Sequence, residues 1–181
     1  MPQPERTGVL APWAARTILL GVAVVGLALD QVAKQAAIAA LVPGEPRPFI
    51  GRLLQFYLIR NSGAAFSLGE GVTWVFALLA GVVLVALLAI ALPRTRHWGW
   101  AVAFGLLAAG VAGNLADRLL RPPAPGRGHV VDFLMLPYWP IFNVADMTIV
   151  AAAIVIVALS FFGHRGPTGR PYERDEEKMT A

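Results

Sequence analysis

The sequence contains no cysteine, which excludes a disulfide framework and a thiolate metal site and leaves only oxygen and nitrogen chemistry. Charge is scarce as well. Asp, Glu, Lys and Arg make up 14% of the 181 residues, where a soluble domain carries about one quarter. With 57% hydrophobic residues and a mean hydropathy of +0.63, the chain is neither an ordinary soluble domain nor a disordered one, and the bilayer is its natural solvent. The net charge of +4 and pI near 10.1 do not point to nucleic acid, because the basic residues stand one or two at a time and form no stripe.

What the chain has instead is long apolar runs. A spanning helix needs about 20 mostly apolar residues, and four stretches fit: Thr17 to Leu41, Val72 to Leu92, Trp98 to Ala116 and Ile141 to Phe162. Val72 to Leu92 holds no charge at all and as a helix is about 31 Å long, the depth of the hydrocarbon core. All five tryptophans (Trp13, Trp74, Trp98, Trp100, Trp139) fall at the beginnings of these segments, where an amphipathic ring meets the headgroups. Arg6 and Arg16 before an apolar run, with Gly26 and Ala28 near its end, also fit a signal peptide. Apolar character resumes as Ala36 to Val42, however, so a retained span is expected.

Four spans place both termini on one side. The tails and the Pro93 to His97 turn hold eight Lys and Arg, and the two longer loops, with Arg118 at the edge of the second, hold six in more residues, so the tails are expected inside. The fold expected is an all-α integral membrane protein with four transmembrane helices and a small β-sheet cradle in the first outer loop. In that loop, Pro43 to Gly71, only Leu53 to Ile59 has a strand signature. The second outer loop, Leu119 to Pro140, opens on a Pro- and Gly-rich run that cannot be helical throughout. Residues 1–162 form one four-span domain, and the polar residues 163–181 are expected to be a solvated, disordered end.

The acids carry the functional signal. Asp30 lies inside the first span, Asp117 closes the third, Asp132 lies in the loop before the fourth, and Asp146 is a turn or so inside it. The ends of odd spans and the starts of even ones face the same side, so these four share one membrane face whichever way the protein inserts. Lys34, Asn61, Asn114, Arg118 and Asn143 lie on the same face. Ionisable groups at membrane depth are costly and mark function by default. Asp30 and Lys34 are spaced i, i+4 and read as a self-neutralising pair, as do the adjoining Asp117 and Arg118. Asp132 and Asp146 have no basic residue at a helical spacing. Two neighbouring carboxylates share a proton and offer an acid and a base together, as hydrolysis without a covalent intermediate requires. The same residues also fit a polar structural network or a proton path, and hence a small proton-coupled transporter. A serine nucleophile, Ser62 or Ser67 with Lys34 as base, is disfavoured because Asp30 keeps Lys34 charged. His97 and His164 lie on the opposite face from the acids and His129 stands alone in a loop, so no metal site is expected.

Several short blocks then bear a family resemblance. Asn61 to Ser67, Gly113 to Leu119, Val130 to Phe133 and Phe142 to Asp146, with Asp30 and Lys34, resemble in order those of bacterial lipoprotein signal peptidase (signal peptidase II), over roughly Leu29 to Thr148. The resemblance implies an intramembrane aspartyl endopeptidase of the inner (cytoplasmic) membrane. Such an enzyme removes signal peptides from diacylglyceryl-modified prolipoproteins just before the lipidated cysteine, without metal or other cofactor. It makes Asp132 and Asp146 the catalytic pair. Asn61, Gly63, Asn114, Arg118 and Asn143 become substrate-binding or dyad-supporting, and Asp30, Lys34 and Asp117 a structural polar network. The implied partners are the lipid-modified prolipoprotein and membrane lipids, no nucleic acid, and a monomer that works alone. The Pro122 to Gly128 stretch is longer than the resemblance leads one to expect.

Overall fold

The computed structural model describes residues 8–63, 73–163 and 165–172. Arg6, Ala64 to Ser67, His164 and the end of the chain from Glu173, all of which entered the sequence reading, lie outside the described residues.

Among the described residues, four helices are long and apolar enough to cross a membrane. Helix α1, Pro12–Ala40, begins five residues before the expected Thr17, because Pro12 is preset for a first helical turn, where its missing N–H costs nothing. Helix α2 spans Thr73–Arg94. Helix α3, Trp98–Leu120, is capped by His97, whose Nδ1 accepts the Gly99 N–H at 3.2 Å. It continues a turn beyond the expected Ala116, which puts Asp117 and Arg118 inside it. Helix α4 is Val144–Phe162, three residues shorter at its start than the apolar run suggested.

Helix α3 is the centre of the bundle and packs against all three others. Its sequence explains this. Ala101, Ala103, Gly105, Ala108, Ala109, Gly110 and Gly113 are buried, and such small residues let helix backbones approach when lipid gives no hydrophobic drive to associate. A Cβ on Gly105 would lie 2.7 Å from the Leu19 carbonyl of α1, so that crossing requires glycine. The large apolar side chains point outward instead. Leu78, Val82 and Val85 of α2 and Val150, Ile154 and Phe161 of α4 are exposed, as residues facing acyl chains are.

At the end of the bundle where α1 and α3 finish, the chain forms a three-stranded antiparallel sheet: β1 (Arg47–Ile50), β2 (Leu54–Asn61) and β3 (Val130–Met135), in that order. The sheet is therefore not confined to the first outer loop. Its third strand comes from the second, and Asp132, expected in a loop, lies on it. Ile59 pairs with Asp132, Arg60 with Val131 and Asn61 with Val130. The chain then turns back, and Leu134 and Phe142 exchange hydrogen bonds at 2.9 Å in both directions. Ala37, Leu58, Val131 and Phe133 form a buried cluster that fixes the sheet to α1.

The C-terminal end departs from expectation in its described part. Residues 165–172 form a tight loop against the α2–α3 turn. The N–H of Arg96 donates to the Pro167 carbonyl at 2.8 Å, and the Trp100 indole donates to that of Arg165 at 3.1 Å. Donors at that turn give the loop's carbonyls partners that composition alone does not reveal.

Candidate active site

The four aspartates that share a membrane face come together in one buried network, built from two layers. In the inner layer Lys34, with no solvent exposure, lies 2.9 Å from Asp30 and 2.8 Å from Asp117. The expected pairing of Asp30 with Lys34 is present. Asp117 takes Lys34 and Arg121 as its ion-pair partners rather than its neighbour Arg118, because residues i and i+4 face one another on a helix and residues i and i+1 do not. Gln31 joins the layer. Its amide nitrogen donates to Asp30 at 3.1 Å, to the Gly113 carbonyl at 3.2 Å and to Asp117 at 3.3 Å.

The carboxylates of this layer also position the backbone of the outer one. Asp30 accepts the N–H of Ala145 at 2.8 Å, next to Asp146. Asp117 accepts that of Val131 at 3.1 Å, next to Asp132. A side chain at Gly113 would intrude, since its Cβ would lie 2.6 Å from the Asp30 carboxylate. Asp30 cannot yield while Lys34 and Ala145 hold it. Gly113→Ala is therefore expected to destabilise the protein by about 1–3 kcal/mol and to slow its reaction; unchanged thermal unfolding in detergent would contradict this packing.

The outer layer holds the remaining two aspartates. Asp132 accepts from the amides of Asn61 at 2.9 Å and Asn143 at 2.6 Å. Asp146 accepts from the Asn114 amide at 2.8 Å and from the Asn143 backbone N–H at 3.1 Å. Asn143, expected on the helix, is its N-cap and forms a capping box with Asp146, so the short return from Leu134 to Phe142 delivers it between the two carboxylates. The amide orientations follow from the network. The Asn114 oxygen accepts from Lys34 at 3.1 Å and from Asn143 at 3.2 Å, which turns its nitrogen to Asp146.

Arg118 completes the ring. It donates to the Gly63 carbonyl at 3.0 Å and that of Asn114 at 3.3 Å, and its buried Nε has no hydrogen-bond partner among the described residues. Asn61, Gly63, Asn114, Arg118, Asp132 and Asp146 all line one cavity of about 500 Å³. Trp139 and Ile141 also line it, so a polar floor meets an apolar mouth.

Burial holds the Asp132 carboxyl well above the usual carboxylate range, at about 6. The nearby Asp146 raises it further, while the hydrogen bonds from Asn61 and Asn143 and the charge of Lys34 oppose the rise. Charge counting agrees. Four carboxylates face three cations (Lys34, Arg118 and Arg121), and a single proton on the outer pair brings the network to zero.

Sequence reasoning missed Gln31 and Arg121. Both stand on the same helix faces as residues it did select: Gln31 is three residues before Lys34, and Arg121 is four residues after Asp117, a spacing that could have found it.

Fold and site together define a multi-pass membrane protein built around paired carboxylates. The family model for signal peptidase (SPase) II matches residues 22–162. The lipoprotein signal peptidase of Mycobacterium avium (strain 104) is 45% identical, with 98% of this chain and 100% of that one covered. That of Mycobacterium tuberculosis (strain ATCC 25618 / H37Rv) is 48% identical over 84% of this chain and 75% of the other. Among solved structures, a bacterial membrane enzyme determined by the in meso method at 2.3 Å matches with a TM-score of 0.71 and 29% identity, covering 80% of this chain and 87% of that chain. The chain belongs to the signal peptidase II family and is an aspartic peptidase, a hydrolase.

Proposed function

We propose that this protein removes signal peptides from diacylglyceryl-modified prolipoproteins, cutting just before the lipidated cysteine, with Asp132 and Asp146 as its catalytic pair. The observation that carries the reading is the single cavity into which both carboxylates open, each held by Asn143. Asp132, with its raised pKa, holds the shared proton. The other carboxylate takes a proton from water as the water oxygen attacks the scissile carbonyl. Asp132 then gives its proton to the departing amine as the C–N bond breaks, and the pair again holds one proton. Asn61, Gly63, Asn114, Arg118 and Asn143 orient the pair and the substrate backbone, and Arg118 has a donor to spare. Asp30, Lys34 and Asp117 hold the scaffold.

Residues 1–162 are the working unit. We place it in the cytoplasmic membrane as a monomer; the distribution of Lys and Arg supports both termini inside. A lipid-anchored substrate then brings its scissile bond to the outer boundary of the hydrocarbon core, level with the acids.

The test is mass spectrometry of a diacylated prolipoprotein peptide incubated with the purified protein in detergent. Cleavage before the lipidated cysteine is expected. No cleavage, together with flux driven by a pH gradient in proteoliposomes, would establish the transporter instead.

A pH dependence follows from the Asp132 proton. Its pKa is raised on folding, so the protonated form and the stability it brings are fully present below about pH 4, and are lost as the pH rises through about 6. If Asp132 must carry that proton, kcat/KM falls over the same upper limb. Asn61 stabilises the ionised form, so Asn61→Ala is expected to move that limb to higher pH. A downward shift in the pH profile would contradict the assignment.

A further inference from the structure

A second concavity lies between the outer end of α1 and the sheet. It encloses about 480 Å³, with Ala33, Ala36, Ala37 and Ala40 of α1 on one side and Phe49, Phe56 and Phe133 of the three strands on the other. The alanines fall at i, i+3, i+4 and i+7, a single stripe of the helix. The Phe49 and Phe56 rings meet with centroids 4.8 Å apart. This trough shares no lining residue with the dyad cavity. Successive residues of a strand point to opposite faces, so Phe133 faces the trough while Asp132 faces the dyad cavity.

One charge lines the trough, that of Arg47. Arg47 is exposed and makes no ion pair among the described residues, although Glu45 is only two residues away. Helix α1 ends at Ala40, so the mouth of the trough stands where a span leaves the hydrocarbon and headgroup phosphates begin. Beside it Phe49, Ile50 and Leu53 are exposed, as is the further cation Arg52. An apolar slot of this kind with an unpaired guanidinium at headgroup level fits an amphiphile with an anionic head. A diacylglyceryl-cysteine carries no phosphate and would leave Arg47 unmatched.

We propose that the trough between α1 and the sheet binds an anionic glycerophospholipid, one acyl chain lying along the alanine stripe and the phosphate on Arg47. Bound there, the lipid ties the sheet to α1 behind the strand that carries Asp132. The site stands independently of the peptidase reading.

Native mass spectrometry of the full-length protein in detergent, titrated with dioleoylphosphatidylglycerol or dioleoylphosphatidylcholine, tests it. The anionic lipid is expected to bind more tightly. Arg47→Gln should weaken it about fivefold, the conversion of roughly 1 kcal/mol per basic residue, and Arg47→Lys should keep most of the affinity. Ala40→Phe, which fills the slot and leaves the cation, should abolish binding while the thermal unfolding midpoint is retained. Equal affinity for the two lipids, or unchanged affinity for the anionic lipid in both Arg47→Gln and Ala40→Phe, would overturn the proposal. Displacement of the bound lipid by a diacylglyceryl peptide would overturn it too, by giving the trough to the substrate.

Discussion

Replacing Lys34 with Met is expected to destabilise the protein by about 3–5 kcal/mol, the usual cost of removing one partner from a buried ion pair. Lys34 has no solvent exposure and lies within 3 Å of two carboxylates that are equally buried. Without it Asp30 and Asp117 face each other across the bundle with only Arg121 to offset them. Methionine fills much of the same volume, so the loss is electrostatic and not a cavity. Asn114 would also lose the cation that fixes its amide towards Asp146, so any folded fraction should react slowly. Adding Asp30→Asn to Lys34→Met restores the charge balance and should recover part of the stability, because residues sharing one network are not additive. Thermal unfolding in detergent reads both effects. A single variant as stable as the parent would show that the buried cation is not what holds the inner layer together.

The second large effect is on turnover. Asp146→Asn and Asp132→Asn are each expected to lower it by about 10²–10⁴-fold, the contribution of a positioned acid or base, while protein still accumulates in the membrane. Both substitutions preserve shape. Asparagine at either position keeps one acceptor oxygen and gives up one of the two hydrogen bonds that the carboxylate accepts, and neither aspartate makes an ion pair among the described residues. The contrast with Lys34→Met is diagnostic, since one change should cost stability and the other mainly rate. Ser62→Ala should be tolerated, because a serine nucleophile would need a neutral Lys34, and Lys34 lies between two carboxylates.

Much of this architecture was legible in the residues. Four apolar runs gave four spans, and parity put Asp30, Asp117, Asp132 and Asp146 on one membrane face before any contact was known. The spacing of Asp30 and Lys34 gave their pairing. Legibility failed where partners are distant in sequence. Val130 to Met135 is apolar and branched enough for a strand, yet its neighbour is β2, some 70 residues earlier, and the Pro- and Gly-rich run before it drew attention to loop character. Asn143 belonged to an apolar run that continues into α4, and only its bond to the Asp146 N–H makes it a cap. Gln31 is uncharged and lies beside an aspartate, so nothing local singled it out. Its role comes from Gly113 and Asp117 on another helix. The described part of the C-terminal end is polar in composition but finds donors for its carbonyls at the α2–α3 turn. In each case tertiary pairing overrode a local signal that was neutral or misleading.

The most direct test of the two-aspartate mechanism is single-turnover cleavage of a diacylated prolipoprotein peptide, followed by mass spectrometry, with wild-type protein, Asp132→Asn and Asp146→Asn purified in parallel. The wild-type protein should release the signal peptide with a single cut before the lipidated cysteine, and neither variant should do so on the same timescale. Cleavage at the wild-type rate by either variant would contradict the mechanism.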